Sequence, residues 1–231
     1  MIPIDKYFEY TRLFKNKNLL LPNHNYNLFN KYINNHRNIP HVDVFVTYVT
    51  SKLVENGISP HFPIYYGSFS GIMDKFTVEV NDIEDYDYEI EKGNMKVVYN
   101  DNKENDYAIM DNYPCQFLAS EKLDGDLYNL KFRKKKPNVE EWLAYLFQTI
   151  AALVVAQKYM GLCNNDLHSS NVMYKYTKDP FLYYKYKNKY YRIPTFNKII
   201  KIIDWGRCTV EWNNQKIRSV VFDSDNEAYG Q

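Results

Sequence analysis

The sequence predicts an α+β fold, on three observations. Two segments carry apolar residues at helical spacing, one over Val42 to Val54 and a longer one over Val139 to Met160. Short runs rich in Val, Ile, Tyr and Phe between and after them read as strands. The 231 residues, 45% of them hydrophobic, suffice to bury a core in one domain or in two lobes.

The first forty residues are polar and interrupted by Pro22 and Pro40, with a short helical pattern over Tyr26 to Asn34. Val42, Phe45, Val46, Val49, Leu53 and Val54 then form the stripe of an amphipathic helix, and Gly57 supplies its stop. "SPHFPIYYGSF" (Ser59 to Phe69) reads as extended, because a residue before proline is pushed out of the helical region. Residues 74–106 are rich in Asp, Glu and Asn and are expected to form a solvated hairpin or a partly mobile insertion. "QFLASEKLDGDL" (Gln116 to Leu127) predicts a strand that ends at Glu121 and a turn at Asp124-Gly125. "KFRKKKP" (Lys131 to Pro137) is read as a solvated basic face in preference to a phosphate-binding patch.

The long helix places Trp142, Leu143, Leu146, Phe147, Ile150, Leu153 and Val154 on one broad face. Asn138 is its N-cap, two glutamates occupy its first turn, and it is expected to be buried on most sides. It runs into Gly161. Beyond it, "NVMYKY" and "NKIIKIIDW" are strand-like and joined by a tyrosine-rich stretch.

Composition narrows the function classes. A formal net charge of +1 gives no electrostatic footprint for nucleic acid. Cys115, Cys163 and Cys208 are odd in number and widely spaced, which points to a reducing compartment and not to a zinc site or a disulfide scaffold. No segment reaches the ~18 consecutive apolar residues of a membrane span, and residues 1–21 do not read as a signal peptide. A cytoplasmic protein without membrane or nucleic-acid partners is expected, in the host cytoplasm if it is viral. The 23 tyrosines accompany many Asn, Lys and Ile, and fit a biased genome better than a binding surface.

The chemistry-bearing stretch is "CNNDLHSSNVMY", where Asp166 precedes Asn171 by five positions on a loop between the long helix and a strand. Asp and Asn in a loop are usually turn formers. The order that follows, however, is strand, strand, then Asp204-Trp205-Gly206. Two antiparallel strands would bring the Asp166 loop near Asp204. Three oxygen-bearing side chains at one point suit a hard cation such as magnesium, which substrate phosphates and water complete.

"NDLHSSN" and "DWG" resemble the catalytic loop and metal loop of the protein-kinase-like superfamily. The histidine two places after the aspartate is closer to the aminoglycoside and choline kinase branch and to kinase-like proteins of large DNA viruses. The resemblance covers about Ser59 to Gly206. It implies a bilobal kinase-like fold, with residues 1–41 an extension or partial small lobe, 42–123 the rest of that lobe, and 124–231 a partial large lobe.

The resemblance further implies ATP and magnesium as cofactors. Asp166 would be the catalytic base or hydroxyl-orienting residue, and Asn171 and Asp204 the metal ligands. His168 would lie near the transferred phosphate, with a loop histidine bonded to backbone an equal alternative. Ser120 would be the gatekeeper-like residue, with Glu121 and Leu123 offering backbone groups to adenine. Asp43 or Glu55 would be the acidic residue of the small-lobe helix. The acceptor would be a hydroxyl on protein Ser or Thr, or on a small molecule.

Departures from the pattern matter. Asn164-Asn165 stands where the family carries His-Arg, which removes the usual clamp for a phosphorylated activation loop. No glycine-rich phosphate loop or strand lysine precedes Val42, Lys6 is a poor substitute, and the segment after Gly206 is too short for the remaining helices of a large lobe, so the chain is expected to be cut at both ends. An active phosphotransferase and a pseudokinase or truncated remnant acting as a binding module are both open. An unrelated α+β domain is disfavoured, because two motifs occur with the right elements between them.

Overall fold

The computed structural model describes residues 35–80, 95–98, 106–134 and 136–223. The helix expected over Tyr26 to Asn34, Lys6, and residues 81–94 and 99–105 of the acidic insertion lie outside them. The chain is mixed α+β and divides into two compact units, residues 1–38 with 68–117 and residues 39–67 with 118–231.

In the first unit lies most of a three-stranded sheet of β1 (Tyr65–Val80), β2 (Met95–Val98) and β3 (Asp106–Ser120), in the order β1-β3-β2. β2 runs antiparallel to β3 with Met95 opposite Met110. Two aromatic stacks join β1 to β3: Phe69 on Phe117 at 4.8 Å and Phe76 on Tyr113 at 4.6 Å. The described parts of the acidic insertion, residues 74–80, 95–98 and 106, are strand.

The second unit is built around two helices. α1 (Ile39–Glu55) starts earlier than its apolar stripe, because Pro40 sits in the first turn, where its missing N–H costs nothing. It buries Val42, Val46, Val49 and Leu53, and Gly57, at φ +66°, ends it with its N–H bonded to the Val54 carbonyl. α2 (Leu127–Leu130) is one turn capped by Asp126, whose side chain accepts from the Asn129 amide at 2.7 Å.

α3 (Val139–Met160) has the expected bounds. Asn138 accepts from the Glu141 amide at 2.9 Å, and Gly161, at φ +56°, donates to the Gln157 carbonyl. Its buried face differs from the sequence reading. Ala144, Tyr145, Gln148, Thr149, Ala152, Ala156 and Met160 point inward, whereas Leu143, Leu146 and Ile150 are 60%, 55% and 51% exposed. The expectation of burial on most sides is thus corrected: one face, with Ala144, Tyr145, Gln148, Ala152 and Ala156, packs inward, and the Leu143, Leu146 and Ile150 face is exposed. By length and composition alone α3 is also apolar enough to cross a membrane. Within this unit its Gln148 accepts from the Ile200 amide at 2.9 Å and donates to the Lys198 carbonyl, so its inward face is committed to a strand.

That strand is β8 (Lys198–Ile202), antiparallel to β5 (Val172–Tyr176) with Val172 opposite Ile202; β4 (Gly125–Asp126) completes the sheet on the other side of β5. β4 stands where a turn was expected. The tyrosine-rich connection is a hairpin of β6 (Phe181–Tyr186) and β7 (Lys189–Pro194). A second hairpin, β9 (Thr209–Trp212) and β10 (Gln215–Arg218), turns at Asn213-Asn214, both left-handed. Val42, Val46, Phe62, Ala152, Ala156, Ile202, Trp205 and Val210 share one core.

Candidate nucleotide and metal site

The loop after α3 is shaped by its own asparagines. The Asn164 side chain accepts from the Asp166 amide at 2.9 Å, a local turn bond that fixes the backbone entering Asp166. Asn165, at φ +61°, donates to the Arg207 carbonyl at 3.1 Å and to the Thr209 hydroxyl at 3.3 Å. Beside it, Cys163 and Thr209 exchange two backbone bonds of 2.8 Å. Asn165 therefore stitches this loop to the segment after Gly206.

Asn171 joins the two loops directly. Its buried carboxamide donates to the Asp166 carbonyl at 3.2 Å and to the Asp204 carboxylate at 3.4 Å, and its backbone carbonyl accepts from the Ile203 amide at 3.1 Å. The β5–β8 pairing produces this, since Asn171 immediately precedes β5 and Asp204 follows β8 by two residues. Asp204 is exposed and sits at φ +64°, a left-handed conformation that costs a non-glycine residue free energy and that tends to persist where function requires it.

Two further residues hold the Asp204-Trp205-Gly206 turn. Asp43 of α1 accepts from the Trp205 amide at 2.8 Å, while the Trp205 ring is buried 6.0 Å from Phe62. Burial pushes the Asp43 carboxyl above its ordinary range; the Trp205 N–H pulls it down and the Asp204 charge adds to the rise. A Cβ at Gly206 would lie 2.6 Å from a methyl carbon of Ile39, so this close approach of α1 needs glycine. Glu55 takes no part. It is bonded to Ser51 and Lys52 on the same helix.

A cleft of about 460 Å³ opens beside this turn, a size suited to a small-molecule site. Leu118, Leu123, Pro63, Met173 and Ile203 give it apolar walls, and Ser120, Glu121, Asp43 and Asp204 add polar groups. The Glu121 amide donates to the Ile64 carbonyl at 2.8 Å, whereas the Glu121 carbonyl and the Leu123 amide have no partner among the described residues. The Glu121 carboxylate is taken by Lys175 at 2.5 Å and Lys201 at 2.9 Å.

Of the residues singled out from sequence, Ser120, Glu121, Leu123 and Asp204 line the cleft, and Asn171 is bonded to Asp204. Asp166 belongs to the same hydrogen-bonded loop, and its carboxylate has no partner among the described residues. His168 is exposed on that loop; among the described residues only its backbone carbonyl is engaged, by the Asn171 amide at 2.9 Å. Asp43, Asn165 and Lys201 were not foreseen as a set. Their partners lie 162, 42 and 80 positions away, and no local pattern signals such pairs.

The donor set suits magnesium. A carboxylate and a carboxamide oxygen are hard ligands, and magnesium uses few protein ligands beside phosphates and water. No group of three or more His, Cys, Asp and Glu side chains able to hold a metal occurs among the described residues, so Asp204 and Asn171 would act as a pair. No family model matches the chain, and no curated protein matches it.

Proposed function

We propose that the chain is a phosphotransferase of the protein-kinase-like superfamily, moving the γ-phosphoryl group of ATP to a hydroxyl of a protein Ser or Thr or of a small molecule. The observation that carries this reading is the Asn171 carboxamide, bonded at once to the Asp166 loop and to the Asp204 carboxylate, beside a cleft of nucleoside size.

In this reading the apolar walls at Leu123, Met173 and Ile203 receive the adenine, and the Glu121 carbonyl and Leu123 amide bond its edge. ATP with magnesium supplies the phosphoryl group and the neutralising charge. Asp204 and Asn171 hold the cation. Asp166 orients the acceptor hydroxyl and takes its proton as the new P–O bond forms and the bond to the departing ADP breaks. His168 is assigned to the neighbourhood of the transferred group by resemblance alone.

A second reading, a nucleotide-binding module without catalysis, is favoured by one observation. Among the described residues the cleft lining includes no lysine or arginine, so none there meets the phosphates.

The two readings separate in one experiment. Labelled ATP and magnesium are supplied with protein and small-molecule acceptors, and both transfer and nucleotide binding are followed. The first reading expects transfer that falls at least about 100-fold in Asp166→Asn with binding retained. Binding without transfer in the wild-type chain selects the second. Transfer that is unaltered in Asp166→Asn removes the role given to Asp166.

A further inference from the structure

We propose that a second cleft, between the turn after α2 and the turn that opens β8, binds a phosphomonoester dianion. This cleft encloses about 400 Å³, and its lining carries Arg133, Lys136 and Lys198 against one carboxylate, Glu141. Three cations and one anion leave two positive charges in excess. None of the three cations forms an ion pair among the described residues.

Unpaired cations on an open surface are ordinary, since water solvates them. Here two of the three are instead fixed in place by aromatic groups. Arg133 donates to the Tyr176 hydroxyl at 3.0 Å, and its guanidinium carbon lies 5.8 Å from the Tyr174 ring centroid. The Lys198 ammonium donates to the Tyr145 hydroxyl at 3.2 Å and stands 5.6, 5.7 and 5.8 Å from the rings of Tyr145, Tyr174 and Tyr176. Ring faces and neutral hydroxyls orient a cation without cancelling its charge. The positive charge is thereby placed in advance and left for a ligand.

The ligand class follows from the donors. A guanidinium fork and two ammonium groups match an anion with several acceptor oxygens, and a dianion balances the excess charge. The cleft is much larger than inorganic phosphate, so the phosphoryl group arrives on a larger molecule, either a sugar phosphate or a phosphorylated side chain. "KFRKKKP" thus gains a role beyond that of a solvated face. The cleft shares no lining residue with the one at Asp204, so the assignment does not depend on the phosphotransferase reading.

Calorimetry on the full chain, in EDTA at constant ionic strength, tests this with glucose 6-phosphate and a phosphoserine peptide as probes. Saturable binding of at least one is expected, about tenfold weaker in Arg133→Gln and unchanged in Asp204→Ala. Arg133→Gln also removes a tyrosine bond, so Lys136→Gln is the second variant, its side chain exposed and bonded to nothing among the described residues. It is expected to bind about threefold more weakly at unchanged Tm. The tighter probe identifies the source of the phosphoryl group. Saturable binding of neither probe, or affinity unaltered in Lys136→Gln, overturns the proposal.

Discussion

At Glu121 one carboxylate meets the ammonium groups of Lys175 and Lys201, and the Ile64 amide adds a longer bond of 3.3 Å. Burial alone would raise its pKa, but the two lysine bonds outweigh burial and hold it below the usual carboxylate range. Lys201 is the costly partner: its side chain is 6% exposed, burial pushes its pKa down, and the Phe62 carbonyl is its other acceptor. Glu121→Gln should therefore cost about 3 kcal/mol by leaving a buried ammonium without a counter-charge. Glu121→Leu combined with Lys201→Met should recover most of that loss, because neither charge then remains to be desolvated. Urea denaturation of the single and double variants measures both, and a double variant no more stable than Glu121→Gln would contradict the account. At the same scale Asp43 and Glu55 have different partners. Both are acidic and on one helix, but only Asp43 has a backbone amide of the Asp204 turn within reach, a fact of packing that spacing along the chain does not carry.

At the scale of elements, α3 separates what periodicity reveals from what it hides. Its ends were legible because Asn138 and Gly161 are chemical signals, a side-chain acceptor and a residue free to turn left-handed. Its buried face was not legible, since both faces are apolar: Leu143, Leu146 and Ile150 lie outward, while Tyr145, Ala152 and Met160 lie inward. Leu146→Gln and Ile150→Gln should each change stability by less than about 1 kcal/mol, whereas Ala152→Leu, forced into a filled core, should cost about 2 kcal/mol or more. Thermal denaturation of the three variants checks the assignment, and the opposite ranking would restore the face inferred from sequence. The β6–β7 hairpin was missed for a related reason: tyrosines on both faces erase the polar contrast on which a period of two depends. The β9–β10 hairpin did have a signal in Asn213-Asn214, two residues that tolerate positive φ between a Trp and a Gln.

For the molecule as a whole, His61 sets a pH dependence. It is fully buried, with one ring nitrogen 2.8 Å from the Ile200 carbonyl and the other 2.9 Å from the Tyr184 hydroxyl. Burial lowers its pKa to about 4, against an ordinary value of 6.5. Between these values the unfolded chain binds the proton and the folded one does not, so stability rises with pH through that window and is lost as pH falls. The loss from this group should be on the order of 3 kcal/mol between pH 7 and pH 4. His61→Gln should flatten that part of the stability curve, and an equally steep curve in the variant would assign the effect to other groups. The candidate site was legible in the five-position spacing of Asp166 and Asn171 and in the strand pair that brings Asn171 to Asp204, and illegible where no such pair links the segments, as at Asp43 and Lys201. Thermal denaturation of the whole chain with ATP, with and without magnesium, tests the central claim most directly. At ATP about 100-fold above its Kd, stabilisation of about 2.7 kcal/mol is predicted, present only with magnesium and absent in Asp204→Ala. No stabilisation of the wild-type chain, or equal stabilisation of both proteins, would contradict it.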